Sequence, residues 1–384
     1  MIEAGVGISS HADAAAAGAE AAGLALAAAP EATAALVFAG PGYGDDIPLL
    51  LDAATATLRT EAVAGASAHG VLGAGREHEG EPAVAVLAVS GLEALPFLIS
   101  DPSDDEAAAC DEIAGLLGAP LRPEDLVVLL PDPRTFHAGA FLPALERALG
   151  PARVVGAGAG DPVSGVPLQW CGRTVASGGV SGMLLRGPRP PRIGVTQACQ
   201  PVTELLTVTR AQGHWVLELD GRPALDVFRD AARGPLSQDL RRAAAFVLVA
   251  LPADPRAERL EPGAYLVRQV VGFETNANAF ALPVQVATGS RLALAQREPQ
   301  RAREDLKAML DRLGGGRPAF GLYFDCCARG TALFGMAGLE AGYLESSFGP
   351  TPIAGLFGSC EIGPIGPATE LLTYTGVLAL VDAP

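Results

Sequence analysis

The sequence predicts an α/β protein of repeated strand–helix–strand units with antiparallel meanders, its mixed sheets flanked by helices and divided between two domains. Three observations predict this. Short apolar runs are bounded by Gly and Pro, as buried strands are. The segments between them carry apolar residues at helical spacing. The pattern also returns along the chain, and a shift of 91 residues carries Gly65 onto Gly156.

In the first unit, about residues 30–90, Leu36-Val37-Phe38 is a strand that ends in the turn Gly40-Pro41-Gly42. A helix with Leu49, Leu50, Leu51 and Leu58 follows, then a strand over 62–67. A polar, glycine-rich hairpin and an apolar strand over 83–89 complete the unit. The second unit, about 121–186, begins with Val127-Val128-Leu129 and the breaker Pro131-Asp132-Pro133. A helix with Phe141, Leu142, Leu145 and Leu149 leads to a strand over 154–158, a hairpin and a strand over 180–185. A looser third copy has strands at 320–324 and 352–357, a helix over 331–344 between them, and a last strand over 371–381. The texture differs between the second and third copies. Trp215 to Gly221 alternates and then turns like a hairpin strand, strands are expected at 265–271 and 281–287, and 299–313 reads as an amphipathic helix. Related halves of one chain commonly place a pocket where they meet.

Composition excludes several classes. Hydrophobic residues make up 49% and charged residues 18%, as in globular chains. A net charge of −16 argues against a nucleic-acid partner, which needs a basic face to release counterions. Arg186, Arg189 and Arg192 cluster among prolines and read as a solvated turn. The alanine-rich stretch 12–29 contains Asp13 and Glu20 and falls short of a membrane span. Glu3 precedes any Lys or Arg, so no signal peptide is expected. The six cysteines form no CxxC pair and read as reduced thiols of a cytoplasmic protein.

Few motifs carry chemistry. Val154-Val-Gly156-Ala-Gly158-Ala-Gly160 lacks the last glycine of a dinucleotide fingerprint, with Asp161 and Pro162 in its way, and reads as a tight turn. Ser67 and His69 lie two apart on a strand, so both can face a cleft, although His69 replaces the glycine of a nucleophile elbow. The five histidines show no metal-binding spacing, and no metal or cofactor is expected. Asp101, Asp104, Asp105 and Glu106 form a solvated acidic run that starts a helix, with Ser103 as its N-cap.

Two motifs follow apolar strands. In Tyr323-Phe-Asp325-Cys326-Cys327-Ala-Arg329-Gly330, a strand ends in a carboxylate, two thiols and a guanidinium just before a helix. A helix N-terminus and a nearby arginine both favour a thiolate. The thiols either line a pocket or pack as small hydrophobes. In Gly358-Ser359-Cys360-Glu361-Ile-Gly363-Pro364, Glu361 either meets a ligand amine or pairs with Arg329 in a buried ion pair.

These motifs, with others in order over more than 300 residues, resemble the FIST family of FIST N and FIST C domains. The resemblance rests on Val63-Ala-Gly65-Ala-Ser67-Ala-His69-Gly70-Val71, Val180-Ser-Gly182 and Val216-Leu-Glu-Leu-Asp220-Gly221 in the N-terminal part. In the C-terminal part it rests on Tyr265-Leu-Val-Arg268, Asp325-Cys326 with Arg329-Gly330, and Glu361-Ile-Gly363-Pro364. It implies a FIST N-like domain over 1–222 and a FIST C-like domain over 223–384. It also implies a sensory, intracellular module of signal transduction that binds an amino acid or similar metabolite and passes the signal to a protein partner. The family pattern points to Cys326, Arg329 and Glu361, and Cys360 stands where a glycine is expected. No catalytic residue is transferred.

The reading that follows is a small-molecule sensor. Arg329 takes a ligand carboxylate bidentately and Glu361 its amine, while Ser67 and His69 orient the ligand and Arg268 assists. The alternatives are a cysteine-dependent enzyme with Cys326 as nucleophile, for which no base is evident, and a ligand-free protein-interaction scaffold.

Overall fold

A computed structural model describes residues 1–383 except 103–104, 162, 233–237 and 315. The chain is mixed α/β, with helices laid against mixed sheets. Its first unit comprises β1 (Glu3–Ser9), α1 (Ala14–Ala28), β2 (Ala34–Ala39), α2 (Ile47–Leu58), β3 (Val63–Ser67), the hairpin β4 (Gly70–Gly73) and β5 (Arg76–Glu79), and β6 (Val84–Ser90). The next comprises β7 (Glu93–Ile99), α3 (Glu106–Leu117), β8 (Asp125–Pro131), α4 (Ala138–Leu149), β9 (Arg153–Ala157), the hairpin β10 (Gln169–Cys171) and β11 (Thr174–Ala176), and β12 (Val180–Arg186). A third unit opens with β13 (Arg192–Gln197) and is then interrupted by an insertion.

The insertion contains β14 (Cys199–Pro201), β15 (Leu206–Gln212), β16 (Trp215–Leu219), β17 (Arg222–Pro223), α5 (Ala224–Ala232) and α6 (Leu240–Ala243). It continues through β18 (Val247–Pro252), β19 (Tyr265–Arg268), β20 (Gly272–Glu274), β21 (Ala279–Ala281) and β22 (Arg291–Arg297). The third unit resumes with α7 (Pro299–Leu313), β23 (Phe320–Cys326), α8 (Gly330–Phe334), α9 (Leu339–Phe348), β24 (Ile353–Gly358), the hairpin β25 (Glu361–Ile365) and β26 (Ala368–Leu372), and β27 (Thr375–Val381).

Among the described residues the strands form three six-stranded sheets and one nine-stranded sheet, the last made by the insertion. The three six-stranded sheets share one plan. Their strand orders are β1-β6-β2-β3-β10-β11, β7-β12-β8-β9-β25-β26 and β13-β27-β23-β24-β4-β5. Each has one parallel pair, β2–β3, β8–β9 or β23–β24, and completes itself with another unit's hairpin. The hairpins therefore interlock cyclically. One core gathers Phe38, Leu130, Val155, Phe324, Ile365 and Val377 from all three sheets. Phe38 meets Phe324 edge-on at 6.2 Å between ring centroids. Helices cover the outer faces, α1 and α2 over the first sheet, α3 and α4 over the second, and α7 and α9 over the third.

The close parallel pairing requires glycine at one register. Gly65, Gly156 and Gly355 pair with Val37, Leu129 and Tyr323. A Cβ at any of the three would stand 1.8 Å from its partner's carbonyl oxygen. Gly156→Ala should therefore push β9 off β8 and cost about 1–3 kcal/mol, the usual cost of overpacking a core. Urea denaturation checks this, and an unchanged midpoint would mean that the strands separate freely.

Local signals differ from the sequence reading in several places. The expected N-cap Ser103 lies outside the described residues, and Asp105 caps α3 by accepting the N–H of Ala108. The single helix over 331–344 is two, α8 and α9, because Gly335 and Gly338 adopt left-handed φ of 70° and 75°. The single strand over 371–381 is broken at Tyr374, whose φ is 60°, into β26 and β27. Of 281–287, only its first residue belongs to a strand, β21. The arginine cluster is not a free turn: Arg186 pairs with Asp125 and Glu93, and Arg192 with Asp382.

Candidate functional site

The parallel strands β8, β23 and β24 run toward the same region, and the insertion closes over their C-terminal ends. Ligands of open α/β sheets bind at such ends. A cavity of about 990 Å³ lies there. Its floor is Cys326 at the end of β23, Cys327 and Ala328 just beyond it, and Ser359 after β24. Phe136 and Ala138 wall it from the loop into α4, and Leu251, Leu266 and Val271 from the insertion. Arg268, Glu370, Thr373 and Tyr374 supply polar groups.

The sequence-predicted residues divide over three places. Cys326 and Arg268 line the cavity. Arg268 follows directly from the strand that carries it, since its guanidinium donates to the carbonyl oxygens of Val267 (2.8 Å) and Leu371 (3.2 Å) and so joins β19 to β26. Burial lowers its pKa, opposed by the charge of Glu370. Burial raises the Glu370 carboxyl, and Arg268 opposes that shift. The two side chains interact through space, with no direct ion pair between them among the described residues.

Arg329 lies elsewhere. It is 0% exposed and its Nε and Nη2 are engaged from within the protein, while Nη1 has no hydrogen-bond partner among the described residues. Its Nε is 2.8 Å from Asp325 Oδ1 and 3.2 Å from Glu340 Oε1, which its Nη2 also engages. Tyr323 donates its hydroxyl to the same Glu340 oxygen at 2.7 Å. The guanidinium also lies over the Phe334 ring, 5.7 Å from its centroid. Burial pushes Asp325 well above the usual carboxylate range, aided by the Glu340 charge. Burial acts to raise Glu340 too, yet Arg329 holds it below that range. This is a structural charge cluster.

Glu361 is also 0% exposed. One carboxylate oxygen accepts the Thr375 hydroxyl (2.6 Å) and N–H (3.2 Å), while Oε1 has no hydrogen-bond partner among the described residues. Burial raises its pKa well above normal, and Cys326 adds to the effect. Glu361 and Arg329 do not form the ion pair offered as one reading of the sequence; each has other partners.

Ser67 and His69 are at the end of β3. The Ser67 hydroxyl accepts the Leu168 N–H at 2.8 Å and fixes the approach to β10. His69 donates its backbone N–H to Phe357 and packs on Gly160, where a Cβ would come within 2.5 Å of the ring. Burial lowers the imidazole pKa against the pull of Asp161. Neither side chain is among the cavity's lining residues.

The two thiols at the floor are not equivalent. Cys326 ends β23 and is buried. Its thiol is pushed up, first by its interaction with Cys327 and then by burial. The same interaction stabilises the Cys327 thiolate and lowers that pKa, although burial, Glu361, Asp325 and Cys360 act against it. The thiol shifted toward the thiolate is thus Cys327, not Cys326, the nucleophile of the alternative enzyme reading. Sequence reasoning did not select Cys327, Glu370, Thr373 or Tyr374 as site residues. The Cys-Cys doublet was the one local sign of the first.

Among the described residues, no helix is long and apolar enough to cross a membrane. The FIST N domain profile matches residues 33–222, and the FIST C domain profile matches 224–364. An uncharacterized protein of Mycobacterium tuberculosis is 30% identical over 382 residues, covering 98% of both chains. Another, from Mycobacterium bovis, is 31% identical over 351 residues, covering 90% of this chain and 89% of its own. A cyanuric acid hydrolase structure from A. caulinodans aligns with 48% of this chain and 71% of its own at 12% identity, with a TM-score of 0.28. FIST domains are generally sensory domains of signal transduction. The two profiles together match most of the chain, which belongs to the FIST family, with a FIST N domain followed by a FIST C domain.

Proposed function

We propose that the protein is a cytoplasmic sensor whose cavity binds a small zwitterion with an apolar side chain, an amino acid or a close analogue, and signals through a protein partner. The observation that carries this reading is one cavity holding a half-buried cation, Arg268, and a nearby anion, Glu370, between apolar walls. Arg268 takes the carboxylate, for which a planar fork is suited. Glu370 takes the ammonium group. Phe136, Leu251, Leu266 and Val271 enclose the side chain, and burying one of leucine size contributes about 1.5–3 kcal/mol. These assignments stand in place of Arg329 and Glu361, which are 0% exposed and are not among the cavity's lining residues. All six cysteines are unpaired, as in a reducing compartment.

Filling the cavity tests the proposal. Ala138 lines it from the first turn of α4, and Ala138→Trp should abolish ligand-induced thermal stabilisation while the variant still unfolds cooperatively. Full stabilisation by the same amino acid in that variant would place the ligand elsewhere.

A further inference from the structure

The sensor reading leaves the thiols of the cavity floor unused. Four cysteines gather around Tyr374 and Glu361: Cys199, Cys326, Cys327 and Cys360. Three of them are buried, at 0%, 4% and 5% exposure for Cys199, Cys326 and Cys360. Cys327 is half-buried and lines the cavity that also holds Arg268 and Glu370. A clamp for an ammonium and a carboxylate thus shares its chamber with an accessible thiol, and a ligand that satisfies both is an amino acid bearing sulfur.

We propose that Cys327 captures low-molecular-weight disulfides with an amino-acid head, forming a mixed disulfide within the cavity. This deepens the sensor reading and rests on the same Arg268–Glu370 clamp. The Cys327 thiolate attacks one sulfur of the ligand disulfide. A protein–ligand S–S bond forms, the ligand's own S–S bond breaks, and the other half leaves as a thiolate that takes a proton from water. No further oxidant is required. Exchange is fastest for an attacking thiol whose pKa lies near ambient pH, and the Cys326 neighbour moves Cys327 in that direction. Burial instead pushes the Cys199 and Cys360 thiols up to about 12, and Cys326 is raised as well. Of the four clustered cysteines, Cys327 alone lines the cavity half-exposed with its thiol shifted toward the thiolate, so capture there favours Cys327.

The test follows adduct formation on the reduced full chain by intact-protein mass spectrometry and peptide mapping. Cystine and a neutral dipyridyl disulfide are compared as probes. Cystine should give a single adduct, mapped to Cys327 and lost in Cys327→Ser. Arg268→Ala should lower the ratio of cystine to dipyridyl disulfide capture rates by about tenfold or more, because only cystine loses charge-assisted contacts with the guanidinium fork. The proposal is overturned if the cystine adduct maps to Cys171 or another cysteine. It is equally overturned if the rate ratio of the two probes matches that of the urea-unfolded chain. Leucine-induced stabilisation of Cys327→Ser separates the two readings: if it persists without capture in the wild type, the clamp stands and the capture fails.

Discussion

Replacing Arg329 by methionine is expected to cost the fold about 3–5 kcal/mol, because removal of one partner leaves buried charge uncompensated. Glu340, 0% exposed, would keep its hydrogen bonds with Tyr323, Asp325 and the Gly330 N–H but lose its counter-charge, and Asp325 would lose its close cation. Urea denaturation gives the cost. The triple variant Asp325→Asn, Arg329→Met, Glu340→Gln should recover much of it, since exchanging a whole buried ion cluster for neutral groups is often tolerated. This result separates structure from recognition. If Arg329→Met folded with wild-type stability and lost only ligand affinity, Arg329 would return to the binding site.

Arg268→Ala is expected to have the opposite profile. Two charge-assisted hydrogen bonds to a ligand carboxylate amount to about 3–6 kcal/mol in total, or roughly a hundredfold to ten-thousandfold in dissociation constant. Calorimetric titration with the tightest-binding amino acid measures the loss. Because Arg268 also bonds the Val267 and Leu371 carbonyls, some stability is lost too, by about 1–3 kcal/mol. Arg268→Lys keeps the charge but not the fork, and should fall between the wild type and the alanine variant in affinity. Equal affinity in all three proteins would remove Arg268 from the site.

The framework was legible where it is local. Apolar runs of three to seven residues between glycines and prolines mark β2, β3, β6, β8, β12 and β23, since strands buried on both faces read as continuous apolar segments. Gly65 and Gly156 were matched to one another, but Gly355 was not, because the insertion interrupts the third unit between β13 and α7 and breaks the spacing. The cyclic exchange of hairpins had no local sign: β4 looks like any surface hairpin until β24 pairs with it.

The site was legible only in part, and the reason is distance along the chain. Charged residues directly after an apolar strand suggested that Arg329 and Glu361 meet a ligand. The partner that occupies Arg329 is Glu340, on α9, and no short motif joins them. The clamp residues Arg268 and Glu370 are brought together by the pairing of distant segments, of which Arg268 to Leu371 is the visible link. Cys326 and Cys327 are neighbours in sequence, yet one ends a strand and the other begins the turn beyond it. Their different environments follow from that single step.

The central claim is that the cavity holds an amino-acid-like ligand, and a thermal-shift series of the wild type against the free amino acids tests it most directly. At one hundred times the dissociation constant a ligand of the folded state contributes about 2.7 kcal/mol. Stabilisation is expected from amino acids with apolar side chains, and from none after both the amino and carboxyl groups are blocked. Stabilisation by no amino acid, or equal stabilisation by the doubly blocked forms, would contradict the claim.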